Sequence, residues 1–303
     1  MFYTANENGD AWFAALSRAL PEAQIDRWRG AAADADYAVV WKPPRDLLGA
    51  LGRPKAVFNL GAGVDGIECS ALPSDVPLIR LEDAGMAEQM AEYVCHAVLR
   101  RYRELDQYAE QQRSALWRQR RRIDKAAFGI GLLGLGVLGH AVAKALAPFG
   151  FPLSGWSRGR KSLPGVIVHS GTAELDAFLG GAQVLICLLP LTRETRGLLD
   201  RRRLSRLPRG AYLVNVARGP ILVDEDLLAL LDEGHLGGAM LDVFHDEPLP
   251  ASHPFWHHPR ITLTPHVSAV TLVDESIAQI AAKIRRLEAG LPVGGVVGRD
   301  RGY

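Results

Sequence analysis

The sequence has few cysteines and no long hydrophobic runs. Its three cysteines, Cys69, Cys95 and Cys187, are odd in number and widely spaced among 303 residues, which argues against a disulfide framework and favours reduced thiols. No uninterrupted apolar segment approaches the ~18 residues of a membrane-spanning helix. The opening MFYTANENGD lacks the basic stretch and apolar run of a secretory signal. We therefore expect a cytoplasmic protein without a membrane partner.

An excess of charge of either sign is also missing. Lysine and arginine total 35 against 34 aspartates and glutamates, so no overall field attracts nucleic acid and none is expected as a partner. His257 and His258 are adjacent, but no cysteine or carboxylate accompanies them at the spacing of a zinc site, so no metal is predicted. Apolar residues, in contrast, make up 48% of the chain, enough for one large or two medium globular domains.

Short apolar strand candidates alternate with helix-like segments, the pattern of a parallel sheet covered by helices. The strand candidates are residues 37–41, 56–60, 78–81, 128–133, 153–156, 184–189, 211–216, 239–243 and 261–264. The helical segments include residues 10–20, 136–148, 225–233 and 272–290. Asp10 could cap the first of these helices. The predicted fold class is α/β, with two doubly wound parallel-sheet domains.

Two amphipathic helices are predicted between Met86 and about Arg118, with a strongly charged face in RRYRELDQYAEQQR. Either a solvated helix surface or a subunit-contacting arm explains that face. Because the last predicted helix can run back to the first sheet, we expect a second domain inserted into the first. The predicted boundaries are residues 1–96 with 274–303 for the outer domain, and 97–273 for the inserted one.

A glycine-rich turn opens the first helix of the second strand–helix series. Gly134, Gly136 and Gly139 form G-x-G-x-x-G directly after a strand candidate, and this context makes an otherwise common pattern typical of dinucleotide binding. The first glycine permits the tight turn, the second lets the backbone approach a pyrophosphate, and the third allows close helix–strand packing. The helix N-terminus offers free N–H groups to the phosphates. A dinucleotide cofactor is therefore predicted here, in contact with Val137 and Leu138 as well.

The end of the next strand candidate indicates which dinucleotide is bound. In NAD-binding domains this strand usually ends in an acidic residue that binds the ribose 2′-hydroxyl. Here Ser157 stands at that position, and Arg158, Arg160 and Lys161 follow. A hydroxyl and clustered cations can hold a 2′-phosphate by charge-assisted hydrogen bonds, so NADP(H) is predicted in preference to NAD(H). The alternative is that these cations are ordinary solvated loop residues.

Three polar residues follow later strand candidates: Arg218 in NVARGP, Glu247 in LDVFHDEPLP and His266 in TLTPH. Each has a simpler explanation on its own, because Arg218 could be a surface cation, Glu247 could shape a turn and His266 could be a structural loop histidine. In this order, and after a dinucleotide turn, they indicate a hydride-transfer site for a small 2-oxo acid.

The ordered set of motifs resembles the D-isomer-specific 2-hydroxyacid dehydrogenase family over essentially the full length. The motifs are VFNLGAGVDGI, LEDAGMAEQMAEY, GLGVLG, WSRGRKS, NVARGP, GAMLDVF, HPRITLTPH and the terminal RGY. The resemblance implies a flavodoxin-like substrate-binding domain into which a Rossmann-type NAD(P)-binding domain is inserted. It also implies an active site in the cleft between the domains and a homodimer as the assembly.

Catalytic roles for the three polar residues are implied by the same resemblance. His266 would be the general acid that protonates the carbonyl oxygen of the substrate, which suits a side chain that both gives and takes a proton near neutrality. Glu247 would orient the imidazole and favour its protonated form. Arg218 would bind the carboxylate and the carbonyl oxygen of the substrate with its planar fork.

Further contacts implied by the resemblance lie outside this catalytic set. The backbone amides of Gly61, Ala62 and Gly63 would receive the substrate carboxylate, and Asp242 would anchor the nicotinamide carboxamide. Val137 stands where many relatives place an arginine near the pyrophosphate, so phosphate binding would depend more on backbone amides.

The expected reaction is NADPH-dependent reduction of glyoxylate to glycolate and of hydroxypyruvate to D-glycerate. An NAD-linked dehydrogenase for another 2-oxo acid and a non-enzymatic dinucleotide-sensing protein are the alternatives, although the complete Arg–Glu–His set favours an enzyme. Trp41, Lys42 and Trp117 could line the substrate site, but packing explains the tryptophans equally well. The sequence does not rank substrates, because small differences in a pocket discriminate by only ~1–3 kcal/mol.

Overall fold

The computed structural model describes residues 1–5, 8–30 and 34–298. The terminal RGY motif lies outside these residues. The chain forms two compact units, Met1–Met86 with Thr271–Tyr303, and Ala87–Val270. Each unit is built around its own parallel sheet.

The joins between the units fall after Met86 and Val270, earlier than the predicted joins after residues 96 and 273. The physical reason at the first join is the helix that follows it. Its apolar side chains, among them Met90 and Val94, are buried in one cluster with Phe128 of the second unit. The segment up to residue 96 therefore packs with the second sheet.

The first unit contains a parallel sheet of four strands in the order β1-β2-β3-β4. Its elements before the first join are β1 (Phe2–Thr4), α1 (Gly9–Ala19), β2 (Tyr37–Trp41), α2 (Arg45–Ala50), β3 (Ala56–Asn59) and β4 (Leu78–Ile79). A parallel bridge also joins Phe2 to Arg27 at the outer edge of β1. With that edge segment counted, the order is 2-1-3-4-5, that of flavodoxin-like sheets, as the sequence predicted.

The second unit contains seven parallel strands in the order β11-β10-β9-β8-β5-β6-β7. Its helices are α3 (Met86–Tyr102), α4 (Leu105–Arg113), α5 (Val137–Leu146), α6 (Gly171–Gly180), α7 (Arg201–Leu204) and α8 (Asp224–Asp232). Its strands are β5 (Ile130–Leu133), β6 (Leu153–Ser157), β7 (Val166–Ser170), β8 (Val184–Cys187), β9 (Ala211–Asn215), β10 (Leu236–Leu241) and β11 (Ile261–Leu263). Numbered from β5, the order is the 3-2-1-4-5-6 of dinucleotide-binding sheets with one strand added.

The sheet of the second unit is covered on both faces. Along β8, Val184 and Ile186 belong to one buried cluster, whereas Leu185 and Cys187 belong to another. This alternation follows from the two-residue repeat of a strand. It explains why the central strands read as continuous apolar runs rather than as alternating patterns. Full burial of one such aliphatic side chain contributes about 1.5–3 kcal/mol, so these strands are a rigid support for the loops at their ends.

The final helix, α9 (Val273–Glu288), packs against α1 within the first unit. Helix α1 begins at Gly9 after Asn8, so Asp10 lies in its first turn and the predicted cap is wrong. The Asp10 carboxylate is instead 2.6 Å from an Arg27 guanidinium nitrogen. Among the described helices none has both the length and the apolar composition needed to cross a bilayer.

Candidate active site

The glycine turn between β5 and α5 has the geometry that the motif predicts. Gly134 has φ +119°, and a Cβ there would lie 2.9 Å from the Leu188 carbonyl. A Cβ on Gly139 would lie 2.2 Å from the Gly134 carbonyl oxygen. Both positions therefore require glycine, the first because of its backbone conformation and the second because the helix lies against the turn.

The N-terminus of α5 has open space and N–H groups that fit a phosphate group. Gly136 precedes the helix in an extended conformation, and a Cβ there would meet no atom within 4 Å. The amides of Val137 and Leu138, as the first residues of a helix, have no carbonyl partner within it. The Val137 side chain is about half exposed at this end. These residues fit the pyrophosphate of a dinucleotide, held by backbone N–H groups and the helix dipole.

The cations after β6 are not equivalent in the structure. Lys161 Nζ donates a hydrogen bond to the Leu135 carbonyl oxygen at 2.6 Å, which places its ammonium at the glycine turn. Arg160 lies 4.0 Å from Glu174 at the start of α6, an exposed pair. Arg158 is exposed, and its charge helps to lower the pKa of Glu194, after the larger effect of a Thr192 hydrogen bond.

Ser157, the last residue of β6, is buried, with 7% of its surface exposed. Its hydroxyl donates a hydrogen bond to the Gly159 carbonyl oxygen at 2.8 Å. The strand therefore ends in a neutral side chain that turns the following loop, and no carboxylate occupies the position at which an acidic residue would face a ribose.

The three candidate catalytic residues follow β9, β10 and β11, three neighbouring parallel strands. Their side chains therefore lie at the same carboxyl edge of the sheet, where open α/β sheets bind ligands. His266 Nδ1 is 2.7 Å from Glu247 Oε2. The opposite ring nitrogen, Nε2, has no partner among the described residues, and the side chain is 42% exposed. The free nitrogen is thus available to a substrate.

His266 has a backbone conformation that is uncommon for a residue with a side chain. Its φ is +54°, and its N–H donates to the Asp242 and Thr264 carbonyl oxygens at 2.8 and 3.1 Å. Left-handed conformations of this kind cost of order 1–3 kcal/mol and persist where surrounding contacts enforce them. The loop therefore holds the imidazole in one place.

Glu247 is held from both sides of its carboxylate. Oε1 accepts a hydrogen bond from the Phe244 N–H at 3.0 Å, and Oε2 contacts His266. Burial favours the neutral carboxyl, but the hydrogen bonds from His266 and Phe244, with the charges of His266 and Arg218, outweigh it and lower the pKa of Glu247. The carboxylate is therefore ionised at neutral pH and stabilises a protonated imidazole.

Arg218 is positioned by two neighbours that its sequence motif contains. The Asn215 side chain accepts from the Ala217 N–H at 3.2 Å and donates to the Arg218 carbonyl oxygen at 3.2 Å. A Cβ on Gly219 would lie 2.0 Å from the Phe244 carbonyl carbon, so the loop after β9 rests directly on the loop that leads to Glu247. Asn215 and Gly219 were not identified as functional from the sequence, although both belong to NVARGP.

Asp242 is fully buried and binds the loop that carries His266. Its carboxylate accepts hydrogen bonds from the Thr264 hydroxyl at 2.6 Å and from the Val267 and Ser268 amides at 2.8 and 2.9 Å. The Tyr93 hydroxyl contacts Thr264 at 2.5 Å, so a hydrogen-bonded chain leads from α3 to this loop. Asp242 therefore has a structural role here, and its contact with the nicotinamide stays a prediction. Tyr93 and Thr264 were not identified as functional from the sequence, although they lie in the motifs LEDAGMAEQMAEY and HPRITLTPH.

The predicted carboxylate-binding turn belongs to the first unit and follows β3. The buried Asn59 side chain donates to the carbonyl oxygens of Gly61 and Gly63 at 2.9 and 2.8 Å. The N–H groups of Gly61, Ala62 and Gly63 have no partner in the part of the chain that the structure describes. Asn59 thus holds the carbonyl groups of the turn and leaves its amides available to an anion. Asn59 was not predicted, although it stands within VFNLGAG.

The remaining histidines near the site pair with carboxylates. His245 and His253 lie 3.6 and 3.5 Å from the two oxygens of Asp224, whose pKa is raised by burial. His258 lies 3.4 Å from Asp232. Within the described ranges, no group of three or more metal-ligating side chains has an arrangement that could hold an ion.

Residues 95–268 match the family described as D-isomer specific 2-hydroxyacid dehydrogenase, NAD binding domain. The whole chain is 48% identical to glyoxylate/hydroxypyruvate reductase A of Serratia proteamaculans and 46% identical to that of Yersinia enterocolitica, with 99% of each relative covered. The chain belongs to the D-isomer-specific 2-hydroxyacid dehydrogenases. The resemblance seen in the motifs is thereby confirmed, and the enzyme is placed among the oxidoreductases.

Solved structures of this family have the same fold. A D-isomer specific 2-hydroxyacid dehydrogenase from Xanthobacter autotrophicus Py2, in complex with NADPH and MES, is 40% identical with a TM-score of 0.93. NADPH-dependent glyoxylate/hydroxypyruvate reductase from Sinorhizobium meliloti, in complex with NADP and sulfate, is 36% identical with a TM-score of 0.92. In both comparisons 100% of this chain and 99% of the other are covered. The predicted fold class is confirmed.

Proposed function

We propose that this family member is an NADPH-dependent reductase that converts glyoxylate to glycolate and hydroxypyruvate to D-glycerate. The observation that carries the proposal is the 2.7 Å contact between His266 and Glu247, at the carboxyl edge of a sheet that also carries a dinucleotide turn. The names of the curated relatives support the substrates. The NADPH and NADP complexes of the structural relatives support the cofactor.

The glycine turn with the amides of Gly136, Val137 and Leu138 would hold the pyrophosphate, and Asp242 the carboxamide. The reduced nicotinamide supplies a hydride when bound. His266 then donates the proton of its free ring nitrogen to the carbonyl oxygen, so that hydride and proton together give a 2-hydroxy acid. Glu247 stabilises the protonated ring before the transfer.

The remaining roles concern the substrate. Arg218 binds the 2-oxo acid and stabilises the negative charge that develops on the carbonyl oxygen. The amides of Gly61, Ala62 and Gly63 receive the carboxylate, since Asn59 binds the carbonyl oxygens of the turn and the N–H groups have no partner among the described residues. The planar guanidinium of Arg218 suits the binding of a 2-oxo acid because it can form two parallel hydrogen bonds with it.

Ser157, Arg158 and Lys161 are the residues that we assign to the 2′-phosphate. The double variant Ser157→Asp, Arg158→Ala places a negative charge at the strand end and removes a cation. Loss of a hydrogen bond to a charged group costs ~1.5–3 kcal/mol, so the KM for NADPH should rise by roughly 10- to 100-fold while the KM for NADH changes little. Steady-state kinetics with both cofactors measures this.

Arg160→Ala is the matched control. Arg160 is turned toward Glu174, so this variant should have the wild-type KM for both NADPH and NADH. An unaltered cofactor preference in the double variant would show that the 2′-phosphate lies elsewhere.

The His266–Glu247 pair predicts a pH effect. Reduction needs a protonated His266, and the ionised Glu247 helps to retain that proton as pH rises. Glu247→Gln keeps the size but removes the charge, so kcat/KM for reduction should decline at a lower pH in the variant than in the wild type. Oxidation of D-glycerate, which needs a neutral ring, should have the opposite pH preference.

Asp246→Asn, at the exposed neighbouring carboxylate, is the control for a general change in surface charge. Profiles are compared under conditions where hydride transfer limits the rate. A midpoint that stays in place in Glu247→Gln would mean that Glu247 does not stabilise the imidazolium.

Turnover by the wild-type protein tests the proposal as a whole. Oxidation of NADPH by glyoxylate and hydroxypyruvate, with glycolate and D-glycerate as products, is the expected result. Cofactor binding without turnover of either acid would instead indicate a dinucleotide sensor. Faster turnover with NADH, or only of another 2-oxo acid, would indicate the NAD-linked alternative.

A homodimer is part of the proposal and rests on an exposed apolar surface. Four large hydrophobic side chains are exposed between residues 105 and 117, and they are Leu105, Tyr108, Leu116 and Trp117. Four such side chains within thirteen residues favour the subunit-contacting arm over a solvated helix face. The cytoplasmic location stays a prediction.

A further inference from the structure

The carboxylate-binding turn of the first unit has two neighbours at the end of β2, Trp41 and Lys42. The Trp41 ring lies directly over the first glycine of the turn, because a Cβ on Gly61 would lie 2.3 Å from a ring carbon. The Lys42 side chain lies along the other end, since a Cβ on Gly66 would be 3.7 Å from Lys42 Cγ. Trp41 therefore covers the first residue of the turn, and the stem of Lys42 lies beside Gly66, three residues beyond Gly63.

Lys42 has features that solvation alone does not explain. Its φ is +44°, a left-handed conformation that is uncommon for a residue with a side chain. Its ammonium lies 6.0 Å from the Trp41 ring centroid, at the outer limit of a cation–π contact. It forms no ion pair with any carboxylate of residues 1–5, 8–30 and 34–298. By comparison, Lys55 and Lys283 of the same unit bind Glu288 and Glu82 at 2.9 and 3.0 Å.

A bound carboxylate is stabilised by a positive charge close to it, and Lys42 is a cation beside this turn. Backbone amides and one cation are together the usual surroundings of a bound carboxylate.

We propose that Lys42 is a substrate-binding residue whose ammonium pairs with the carboxylate of the 2-oxo acid at the Gly61–Gly63 amides. The Trp41 ring shields one side of the ammonium and holds the turn beneath it. This inference rests on the proposed function, because it identifies the carboxylate of that substrate as the anion. Lys42 contributes equally to binding in the ground state and in the transition state, since the carboxylate keeps its charge throughout the reaction.

Lys42→Met and Lys42→Arg test the inference. Because removal of a charge-assisted hydrogen bond weakens binding by roughly 10- to 100-fold, Lys42→Met should raise the KM for glyoxylate by about that factor. The kcat of Lys42→Met should stay within about threefold of the wild-type value, because Lys42 binds the ground state and the transition state equally. Lys42→Arg retains the charge and should restore most of the affinity. The KM of the wild type should rise with salt more steeply than that of Lys42→Met, because only the former has a charge to screen.

Lys55→Met is the matched control, since Lys55 is an exposed lysine of the same unit that pairs with Glu288. Lys42 is exposed, and methionine has the same backbone demands, so thermal unfolding should be unchanged. An unaltered KM in Lys42→Met, or a fall in kcat with KM unaltered, would overturn the inference.

A direct binding measurement separates this inference from the proposed function. Oxamate, an unreactive analogue of a 2-oxo acid, is titrated calorimetrically into the NADPH-bound wild type and Lys42→Met. If the wild type reduces neither glyoxylate nor hydroxypyruvate, the proposed function fails. A tenfold or larger loss of oxamate affinity in Lys42→Met would then still support the carboxylate site, and equal affinities would exclude it.

Discussion

His266→Gln is expected to lower kcat for glyoxylate reduction by ~10²–10⁴-fold, the usual contribution of a positioned general acid. Glutamine has a comparable reach and an amide that can hydrogen-bond to Glu247, so the loop after β11 should keep its shape. What is lost is a group that can release a proton near neutral pH. NADPH affinity should stay unchanged, because the glycine turn and the end of β6 are intact. Steady-state kinetics and a fluorescence titration with NADPH measure the two quantities.

His257→Gln is the control, since His257 is an exposed histidine that precedes β11 on the same sheet. It should have wild-type kcat. Retention of more than about a tenth of the wild-type kcat in His266→Gln would be incompatible with the ~10²-fold minimum expected of a general acid. The proton would then have to come from another donor, and the His266–Glu247 pair would be structural.

Arg218→Lys is expected to lower kcat/KM for both substrates by ~10²–10³-fold, the effect of removing a donor to a developing oxyanion. Lysine retains the positive charge but not the fork, so it cannot bind the carboxylate and the carbonyl oxygen together. The guanidinium also donates to the Ala217 carbonyl oxygen at 2.7 Å, a bond that fixes its direction. Because the interaction strengthens as charge develops, kcat should fall together with substrate affinity, and NADPH affinity should not.

Arg209→Lys makes the same exchange at the opposite end of β9, at an exposed side chain, and should have no effect on either parameter. A loss confined to NADPH affinity in Arg218→Lys would place Arg218 in the cofactor site and would contradict the substrate role.

The buried strands were predictable because they are continuous apolar runs between breakers. Residues 37–41 were predicted as a strand with the observed bounds, and β5, β8 and β9 differ from prediction only at their ends. Strands β1 and β7 were missed for different reasons. The first has only three residues, and the second is a partly exposed edge strand whose pattern, VIVHS, is weak. Short or edge strands depend on pairing with neighbours that are distant in sequence.

The candidate catalytic set was predictable because each member stands next to a strand end, and the carboxyl ends of parallel strands share one edge. The contacts that hold these residues in place were not predictable. The Thr264 hydroxyl binds Asp242 and the Asn59 side-chain amide binds the Gly61 carbonyl oxygen, and both contacts depend on how loops fold. Likewise, the sequence named Ser157, Arg158 and Lys161 for the 2′-phosphate, with Arg160 as the alternative to Lys161. The contact of Lys161 with the glycine turn was not predictable, because it depends on how the loop after β6 folds back.

Transfer of deuterium from NADPH to the substrate tests the central claim most directly. The wild-type protein is supplied with hydroxypyruvate and with NADPH carrying deuterium at the transferable position of the nicotinamide, and the product is resolved by chiral chromatography and mass spectrometry. The account predicts D-glycerate with one deuterium at carbon 2. Unlabelled glycerate, the L enantiomer, or an absence of product would contradict it.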